Sequence, residues 1–342
     1  MKKILLLSVL FTASIICLSQ TKFRSGIFLH HSTGGCIWGP NGSSTSIPQE
    51  MTAYNIVHSY TGGNAVSMTE EWWSPSDNEW STQHNFFEDP SPVTGIGYYT
   101  PNNKIVVIKS CFPSSDMSGM GNASDTNSPT TKSMYNYKWH WRHIVEAMSK
   151  HPDNFFVIWT NAPLVAGATN SSAASLSKNF CKWAKDTLAN GLDPVVGAFP
   201  SNIYVFDFFS KLTDANGYLQ SQYAASSSDS HPNSAATALV APQFVNEIFD
   251  AAIAYELLSD VNNNNIDAVS IYPNPNNGTF YINGNIENTY LKIFNLTGNL
   301  IYEKNNFNFS NPVKLDCIIN GVYFIAIETP NKAYHSSVII QK

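Results

Sequence analysis

The segment KIVVIKSCFP, Lys104–Pro113, carries the clearest indication of fold class in this sequence. Four β-branched apolar residues, Ile105–Ile108, follow one another in it without polar alternation. A strand of this composition suits a parallel sheet that is covered on both faces. In such sheets, ligands bind outside the carboxyl ends of the strands. The polar residues that follow each strand, such as Ser110 here, are therefore the first candidates for chemistry.

Strand-like and helix-like segments alternate on both sides of this strand, from Phe23 to Leu258. The other predicted strands are SGIFLHHS (25–32), NAVSMTEEWW (64–73), NFFVIWTNAPL (154–164) and NIYVFDFFSKL (202–212). The predicted helices are IPQEMTAYNIVHSY (47–60), YKWHWRHIVEAMSKHP (137–152), SAASLSKNFCKWAKDTLANG (172–191) and the region 231–258. This alternation predicts a doubly wound, mostly parallel α/β sheet with helices on both faces, as in the three-layer flavodoxin-like folds.

The pattern changes after an asparagine run, NNNN, at 262–265. Two pairs of alternating apolar runs follow, LKIFNLTGNLIYEKN (291–305) and GVYFIAIETPNKAYHSSVIIQK (321–342), each with turn residues in the middle. Such pairs predict β-hairpins and hence a small antiparallel β-sandwich. We therefore expect a main domain at 21–260, a flexible polar linker at 261–267 and a β-sandwich domain at 268–342.

The first 20 residues, MKKILLLSVLFTASIICLSQ, have a basic start and an apolar run that ends in small and polar residues. This pattern is typical of a secretory signal peptide, and we expect cleavage near Gln20. The apolar run is short for a membrane span, and we expect no membrane-spanning segment elsewhere.

The last 75 residues resemble a known export signal. The segments YPNPNNGTF (272–280), LKIFNLTGNLIYE (291–303) and NGVYFIAIET (320–329) are similar to the C-terminal sorting domain of type IX secretion in the Bacteroidetes. The resemblance implies a partner, the type IX secretion machinery, and a secreted or outer-surface location. A generic adhesion or carbohydrate-binding β-sandwich is the alternative interpretation of this segment.

Composition argues against a nucleic-acid-binding protein. Charged residues make up only 13% of the chain and the formal net charge is −6, so no basic surface is expected for a nucleic acid.

Four cysteines follow the signal peptide, Cys36, Cys111, Cys181 and Cys317, and an exported protein can pair them as disulfides. We expect a Cys36–Cys111 bridge between two strand-end loops, while the other pairings stay open. We also expect a monomer.

Two segments carry candidate catalytic residues. FLHHSTGG (28–35) places Ser32 directly after the first strand, followed by Thr33 and two glycines. SSSDSHPNS (226–234) places His231 before the last helix, with Asp229 two residues earlier. A histidine beside a carboxylate can take a proton from a serine while the carboxylate orients the ring. An ordinary polar loop and a helix cap are the structural alternatives for the two segments.

Together, the two segments resemble the SGNH, or GDSL-type, hydrolases, in which a serine follows the first strand and an Asp/His pair ending in His-Pro precedes the last helix. The resemblance implies that Ser32 is the nucleophile, His231 the general base and Asp229 its orienting partner. His30-His31 stands where the family has Gly-Asp, and Ser228 occupies the family's Asp position. The oxyanion candidates are the residues Thr33, Gly34 and Ser110.

Aromatic residues indicate the substrate class. Trp72 and Trp73 lie in a polar, aromatic loop after the second strand, and aromatic faces beside polar groups suit sugar rings. With His31 they form the expected substrate-binding set for a polysaccharide or oligosaccharide. Alternatively, these rings pack as a satellite core. We expect no metal at His30 and His31, because successive strand residues point to opposite faces.

The sequence thus predicts a secreted esterase that acts on acylated carbohydrate through Ser32, and this chemistry needs no cofactor. Two alternatives stay open. One is a catalytically inactive glycan-binding protein. The other is a carbohydrate-active enzyme that uses carboxylates such as Glu70 and Glu71 on the same scaffold. A Cys111 nucleophile paired with His231 is a further possibility at the same sheet edge.

Overall fold

The computed structural model describes residues 22–73, 79–263, 269–284, 289–295, 299–315, 318–329 and 333–341. The predicted signal peptide, 1–20, lies outside the described residues. The main domain contains five strands, which are β1 (Ser25–His30), β2 (Ser67–Trp72), β3 (Ile105–Ile108), β4 (Phe155–Trp159) and β5 (Ile203–Phe206). Its α-helices are α1 (Thr33–Trp38), α2 (Ile47–Val57), α3 (Trp80–Glu88), α4 (Met134–Ser149), α5 (Ser171–Trp183), α6 (Phe208–Leu212) and α7 (Ser234–Asn263).

The five strands form one parallel sheet in the order β2-β1-β3-β4-β5. All four residues of β3 have no solvent exposure, as its apolar run predicts. Burying an aliphatic side chain of this size contributes roughly 1.5–3 kcal/mol. The parallel α/β fold class predicted from the sequence is confirmed.

Helices cover both faces of the sheet and divide its core into two clusters. One cluster contains apolar residues of α1, α2 and α7, among them Ile37, Ile47 and Phe244. The other contains apolar residues of α3, α4 and α5. Helix α2 begins as predicted, because Pro48 lies in its first turn and Ser46 forms a capping box with Gln49.

The order of the strands reverses at β1, because the chain proceeds from β1 to β2 on one side and then crosses to β3 on the other. A crevice forms at such a switch point, outside the carboxyl ends of the two diverging strands. Here those ends belong to β1 and β3. The residues after them, from His31 and from Lys109 onward, therefore lie at the position where this architecture binds ligands.

The C-terminal unit consists of antiparallel sheets, as predicted. Its strands are β6 (Ser270–Tyr272), β7 (Thr279–Asn283), β8 (Tyr290–Phe294), β9 (Leu300–Asn305), β10 (Val313–Lys314), β11 (Gly321–Glu328) and β12 (Ala333–Ile340). They form a three-stranded sheet, β10-β7-β6, and a four-stranded sheet, β12-β11-β8-β9. Side chains of both sheets share one apolar core that is separate from the two clusters of the main domain.

The boundary between the two units differs from the prediction. The linker was expected to begin at residue 261, but α7 continues to Asn263. The apolar face that packs on the sheet extends to Tyr255, and the helix continues for two further turns beyond it. Residues 264–267 of the predicted linker lie outside the described residues.

Candidate active site

Ser32 occupies a sharp turn between β1 and α1. Its backbone has φ 48° and ψ −108°, a left-handed conformation that a residue with a side chain rarely adopts. Such strain costs roughly 1–3 kcal/mol and is maintained by the surrounding structure. In hydrolases with a parallel sheet, a strained turn of this kind between a strand and a helix exposes the nucleophilic serine at the carboxyl edge of the sheet.

The structure brings Ser32, His231 and Asp229 together in a hydrogen-bonded chain. Ser32 Oγ lies 2.7 Å from His231 Nε2, and His231 Nδ1 lies 2.6 Å from Asp229 Oδ1. Because a carboxylate can only accept, Nδ1 carries the proton and Nε2 is left to accept from the serine hydroxyl. The three residues predicted from the two sequence segments therefore meet in the arrangement of a nucleophile, a base and an orienting carboxylate.

The loop that carries Asp229 and His231 is fixed at several points. The Asp229 amide donates to Ser226 Oγ (3.0 Å), and the His231 amide donates to Asp229 Oδ1 (3.0 Å). The intervening Ser230 points inward, where its hydroxyl accepts from the Val165 amide (3.0 Å). These bonds hold the imidazole toward Ser32 before any substrate binds.

Asp229 is about half exposed, with a side-chain exposure of 51%, while that of His231 is 42%. Hydrogen bonds from the backbone and side chain of His231 hold the pKa of Asp229 below its ordinary value. The carboxylate therefore stays ionised throughout the neutral range, as an orienting partner requires.

The three oxyanion candidates have different surroundings. The Gly34 amide already donates to His31 O (3.0 Å). The Thr33 amide directly follows Ser32 and opens α1, where amides have no partner within the helix. Ser110 Oγ is buried and has no hydrogen-bond partner in the described part of the chain. The Thr33 amide and the Ser110 hydroxyl therefore have a donor capacity that the Gly34 amide already uses.

His30 and His31 have separate roles. His30 is buried, and its Nε2 lies 2.8 Å from a carboxylate oxygen of Glu70. Burial, with help from the Lys109 and His31 charges, lowers the pKa of His30 to about 4, so its ring is neutral and donates to Glu70. His31 Nδ1 instead donates to the carbonyl of Trp73 (3.1 Å). One histidine thus packs beneath the site, and the other lines it.

The cysteine predictions require correction. Cys36, Cys111 and Cys181 are all free thiols, so the expected Cys36–Cys111 bridge is not formed. Cys317 lies outside the described residues. Within the described residues, Cys111 forms no hydrogen bond with His231, whose Nε2 contacts Ser32.

The tryptophans after β2 separate into an exposed ring and a packed ring. Trp72 is 68% exposed, and its ring centroid lies 5.9 Å from that of His31. Trp73 packs on Phe86, with a centroid distance of 5.0 Å, and adjoins the core beneath. Trp72 is therefore open to a ligand, whereas Trp73 is partly a core residue. Residues 74–78 of this loop lie outside the described residues.

The two adjacent carboxylates of β2 have different partners. Glu70 accepts from His30, and Glu71 accepts from the hydroxyl of Tyr99 (2.6 Å). Successive strand residues point to opposite faces of the sheet. Glu70 and Glu71 therefore do not face a common substrate position as an acid/base pair.

Two residues of the site were not singled out by sequence reasoning. The Phe112 ring stands edge-on to His231, at 5.2 Å between centroids. Lys109 is fully buried, and its ammonium donates to His31 O (3.2 Å). For Lys109, the sequence signal was a lysine directly after an apolar strand. The contacts of both residues depend on the order of the strands in the sheet, which a local pattern does not contain.

A cavity of about 800 Å³ adjoins the loop that carries Asp229. Its walls include Ser227 and Ser228 of that loop together with Tyr218, Gln220 and Gln222. Among the described residues, no group of three or more histidine, cysteine, aspartate or glutamate side chains is arranged to hold a metal ion.

Comparison with known proteins identifies the C-terminal unit. Residues 270–341 match the family model of the secretion system C-terminal sorting domain. The chain therefore carries a type IX sorting domain, whose partner is the secretion machinery, and the protein is directed to the cell surface or beyond it. None of the helices in the described part of the chain combines the length and hydropathy needed to cross a membrane.

Similar solved structures were also found. PorZ, a surface component of the type IX secretion system of Porphyromonas gingivalis, is 24% identical over 22% of this chain and 12% of its own, with a TM-score of 0.20. BT4096, a gut microbial diltiazem-metabolizing enzyme, is 8% identical over 86% of this chain and 72% of its own, with a TM-score of 0.37. A modular endo-β-1,4-mannanase from Cellulomonas fimi is 9% identical over 92% and 63% of the respective chains, with a TM-score of 0.23. A search of curated proteins finds no match.

Proposed function

We propose that the protein is an exported serine hydrolase of the SGNH type that cleaves an ester on an acylated carbohydrate. The observation that carries this proposal is the chain of two short hydrogen bonds from Ser32 through His231 to Asp229. Its position at the crevice between β1 and β3, where this architecture binds ligands, supports the proposal further.

The reaction proceeds through an acyl-enzyme. Ser32 Oγ attacks the ester carbonyl while His231 Nε2 takes the hydroxyl proton, and Asp229 stabilises the resulting imidazolium. His231 then gives this proton to the departing sugar oxygen, so the sugar leaves with a free hydroxyl group and the acyl group stays on Ser32. A water molecule then gives a proton to His231 and its oxygen bonds to the acyl carbon. The bond from the acyl carbon to Ser32 Oγ breaks, His231 returns the proton to Oγ, and the acid leaves. General-base assistance of this kind contributes about 10²–10⁴-fold to the rate.

The oxyanion of the tetrahedral intermediate needs donors close to Ser32. The Thr33 amide follows Ser32 directly, and the buried Ser110 hydroxyl lies two residues after the neighbouring strand β3 without a partner of its own in the described structure. We assign the oxyanion to these two groups. Removing one such donor from an acyl-transfer site lowers kcat by about 10²–10³-fold.

The carbohydrate part of the proposal rests on Trp72 and on the cavity next to the loop that carries Asp229. An indole that is 68% exposed beside the site offers an apolar face on which a sugar ring can stack. The cavity next to the Asp229 loop is lined by an aromatic residue, Tyr218, together with glutamine and serine residues, a composition that suits a hydroxyl-rich ligand. Its volume of about 800 Å³ leaves room for more than one sugar unit.

Turnover of acetylated oligosaccharides tests this function. Wild type is expected to release acetate, and Ser32→Ala to reduce kcat by at least about 10³-fold. Ser59→Ala is a matched control, because Ser59 also has a positive φ (55°) but lies exposed at the end of α2. Trp72→Ala is expected to raise KM for glycan esters and to leave KM for p-nitrophenyl acetate unchanged.

A glycan-binding protein without catalysis is the second candidate, and the exposed Trp72 ring favours it. The two candidates differ in one result. Wild type that binds acetylated glycans but releases no acetate from any ester would support the binding protein and contradict the esterase.

A further inference from the structure

A buried cation lies beneath the candidate active site, and the proposed mechanism does not use it. Lys109 directly follows β3 and is only 1% exposed. Moving an ammonium group out of water is unfavourable unless a partner compensates for its charge. In the described part of the chain, Lys109 forms no ion pair with a carboxylate. A buried lysine without such a partner indicates a role other than stability.

The Lys109 side chain runs under the first turn of α1. A Cβ at Gly34 would lie 2.8 Å from Lys109 Cδ, so the aliphatic part of the lysine occupies the space that glycine leaves. The ammonium then donates to His31 O (3.2 Å). The Lys109 carbonyl accepts from Gln83 Nε2 (2.7 Å). Lys109 is thus held at its backbone and along its stem, with its ammonium directed at one peptide group.

That peptide group joins His31 to Ser32. Its carbonyl oxygen accepts from Lys109 and also from the Gly34 amide (3.0 Å), so both of its lone pairs are used. Because a peptide unit is planar, two donors at one oxygen fix the orientation of the whole unit. The orientation of this unit relative to the Ser32 Cα defines φ of Ser32, which is 48°. Lys109 and Gly34 therefore oppose the rotation by which Ser32 could relax to a negative φ.

We propose that Lys109 is a positioning residue of this site: its ammonium holds the peptide unit before Ser32 and so keeps the Ser32 hydroxyl directed at His231. Ser32 Oγ and His231 Nε2 are 2.7 Å apart, and a rotation at Ser32 would lengthen this contact. Burial lowers the pKa of Lys109 to about 8, so the ammonium remains charged at neutral pH and donates a charge-assisted hydrogen bond. The effect on catalysis rests on the proposed function, whereas the effect on the Ser32 backbone does not.

The effect on the backbone is measured through protein stability. Ser32→Gly is expected to be more stable than Ser32→Ala as long as the turn enforces a positive φ. In a Lys109→Met background the peptide unit can rotate, so this difference should shrink. Urea denaturation of the two Ser32 variants in both backgrounds measures the coupling between the two positions. An unchanged difference would overturn the proposal, whether or not the protein is an esterase.

Lys104→Met is the matched control for the stability measurement. Lys104 precedes the same strand, at the amino edge of the sheet, and its ammonium also donates to a backbone carbonyl, that of Asp153 (3.4 Å). In this background the difference between Ser32→Gly and Ser32→Ala should equal that in the wild-type protein. An equal shrinkage here would also overturn the proposal, because the effect would not be specific to Lys109. Lys109→Gln, which lacks the charge and is shorter, replaces Lys109→Met where the latter does not fold.

The effect on catalysis is measured with p-nitrophenyl acetate. Lys109→Met is expected to lower kcat by about 10–10²-fold and to leave KM unchanged, because a serine displaced from its base reacts slowly while the small ester binds as before. Lys104→Met should retain the wild-type values. A folded Lys109→Met protein with the wild-type kcat would overturn the positioning role. A wild-type protein without esterase activity would instead contradict the proposed function, and the stability measurement alone then decides whether Lys109 holds the turn.

Discussion

Ser32 combines a side-chain contact with a histidine and an unfavourable backbone conformation. Its φ of 48° is one that glycine adopts freely, yet a hydroxyl is needed there for the contact with His231 Nε2. Conformational strain of this kind persists where the surrounding structure enforces it, and it is common at active sites. The residue therefore retains a side chain at the expense of stability.

We expect Ser32→Gly to be more stable than Ser32→Ala by about 1 kcal/mol. Both variants lose the hydroxyl, but only glycine relieves the positive φ. Urea denaturation of the two variants measures the difference, and the Ser59→Gly and Ser59→Ala pair calibrates it at an exposed residue with a φ of 55°. Equal stability of the two Ser32 variants would show that the turn is not strained.

The catalytic candidates could be read from the sequence, whereas their surroundings could not. Ser32 and His231 were predicted because a serine after the first strand and an Asp-x-His segment before the last helix carry recognisable chemistry. The contacts of Lys109 with His31 and of Phe112 with His231 join residues about 78 and 119 positions apart. Such contacts depend on β3 lying next to β1, and no local pattern contains that information.

At the level of secondary-structure elements, Gly34 allows α1 to pack against the two central strands. A Cβ at this position would lie 2.5 Å from His30 Cβ and 2.8 Å from Lys109 Cδ. One turn of helix therefore approaches β1 and the end of β3 at a distance that only glycine permits. Because α1 begins directly after Ser32, this close approach also fixes the position of Ser32.

Gly34→Ala is expected to destabilise the protein by about 1–3 kcal/mol, because the added methyl group overfills the space between α1 and the sheet. It should also lower the proposed esterase activity, since α1 must shift. Gly35→Ala is the matched control, because the nearest atom to its Cβ, His30 Cε1, is 3.8 Å away. Thermal denaturation that ranks Gly35→Ala below Gly34→Ala would contradict this packing model.

Each of the five parallel strands coincides with a predicted strand, because continuous apolar runs between turn signals are a local property. The predicted end of α7 was too early, since asparagine-rich sequence resembles a linker but can extend a helix that is already anchored.

The role expected of Gly34 also shows that a local sequence pattern does not reveal contacts between elements. Its place after Ser32 suggested an oxyanion donor, whereas its amide bonds His31 O and its missing side chain serves packing.

The whole molecule consists of two units with separate apolar cores and different tasks. The main domain carries the candidate site, and the C-terminal unit carries the sorting domain at 270–341. The sequence motifs of the sorting domain made this division predictable, because its strands and turns recur in order. The candidate catalytic residues and the export signal are thus encoded in different parts of the chain.

Deleting residues 270–341 is expected to abolish export in the producing bacterium. The amount of protein at the cell surface and in the medium should fall by about tenfold or more, because the sorting machinery no longer recognises the chain. Immunoblots of cell fractions measure this loss. Full-length Ser32→Ala is the control and should be exported normally, and normal export of the truncated chain would show that 270–341 is not the sorting signal.

The reactivity of Ser32 itself can be measured without knowledge of the substrate. A fluorophosphonate probe labels only a serine that an adjacent base activates. We expect the wild-type protein to be labelled at Ser32, Ser32→Ala and His231→Ala to be unlabelled, and Ser59→Ala to be labelled like wild type. Absence of labelling in the folded wild type, or labelling that survives Ser32→Ala, would contradict a serine hydrolase.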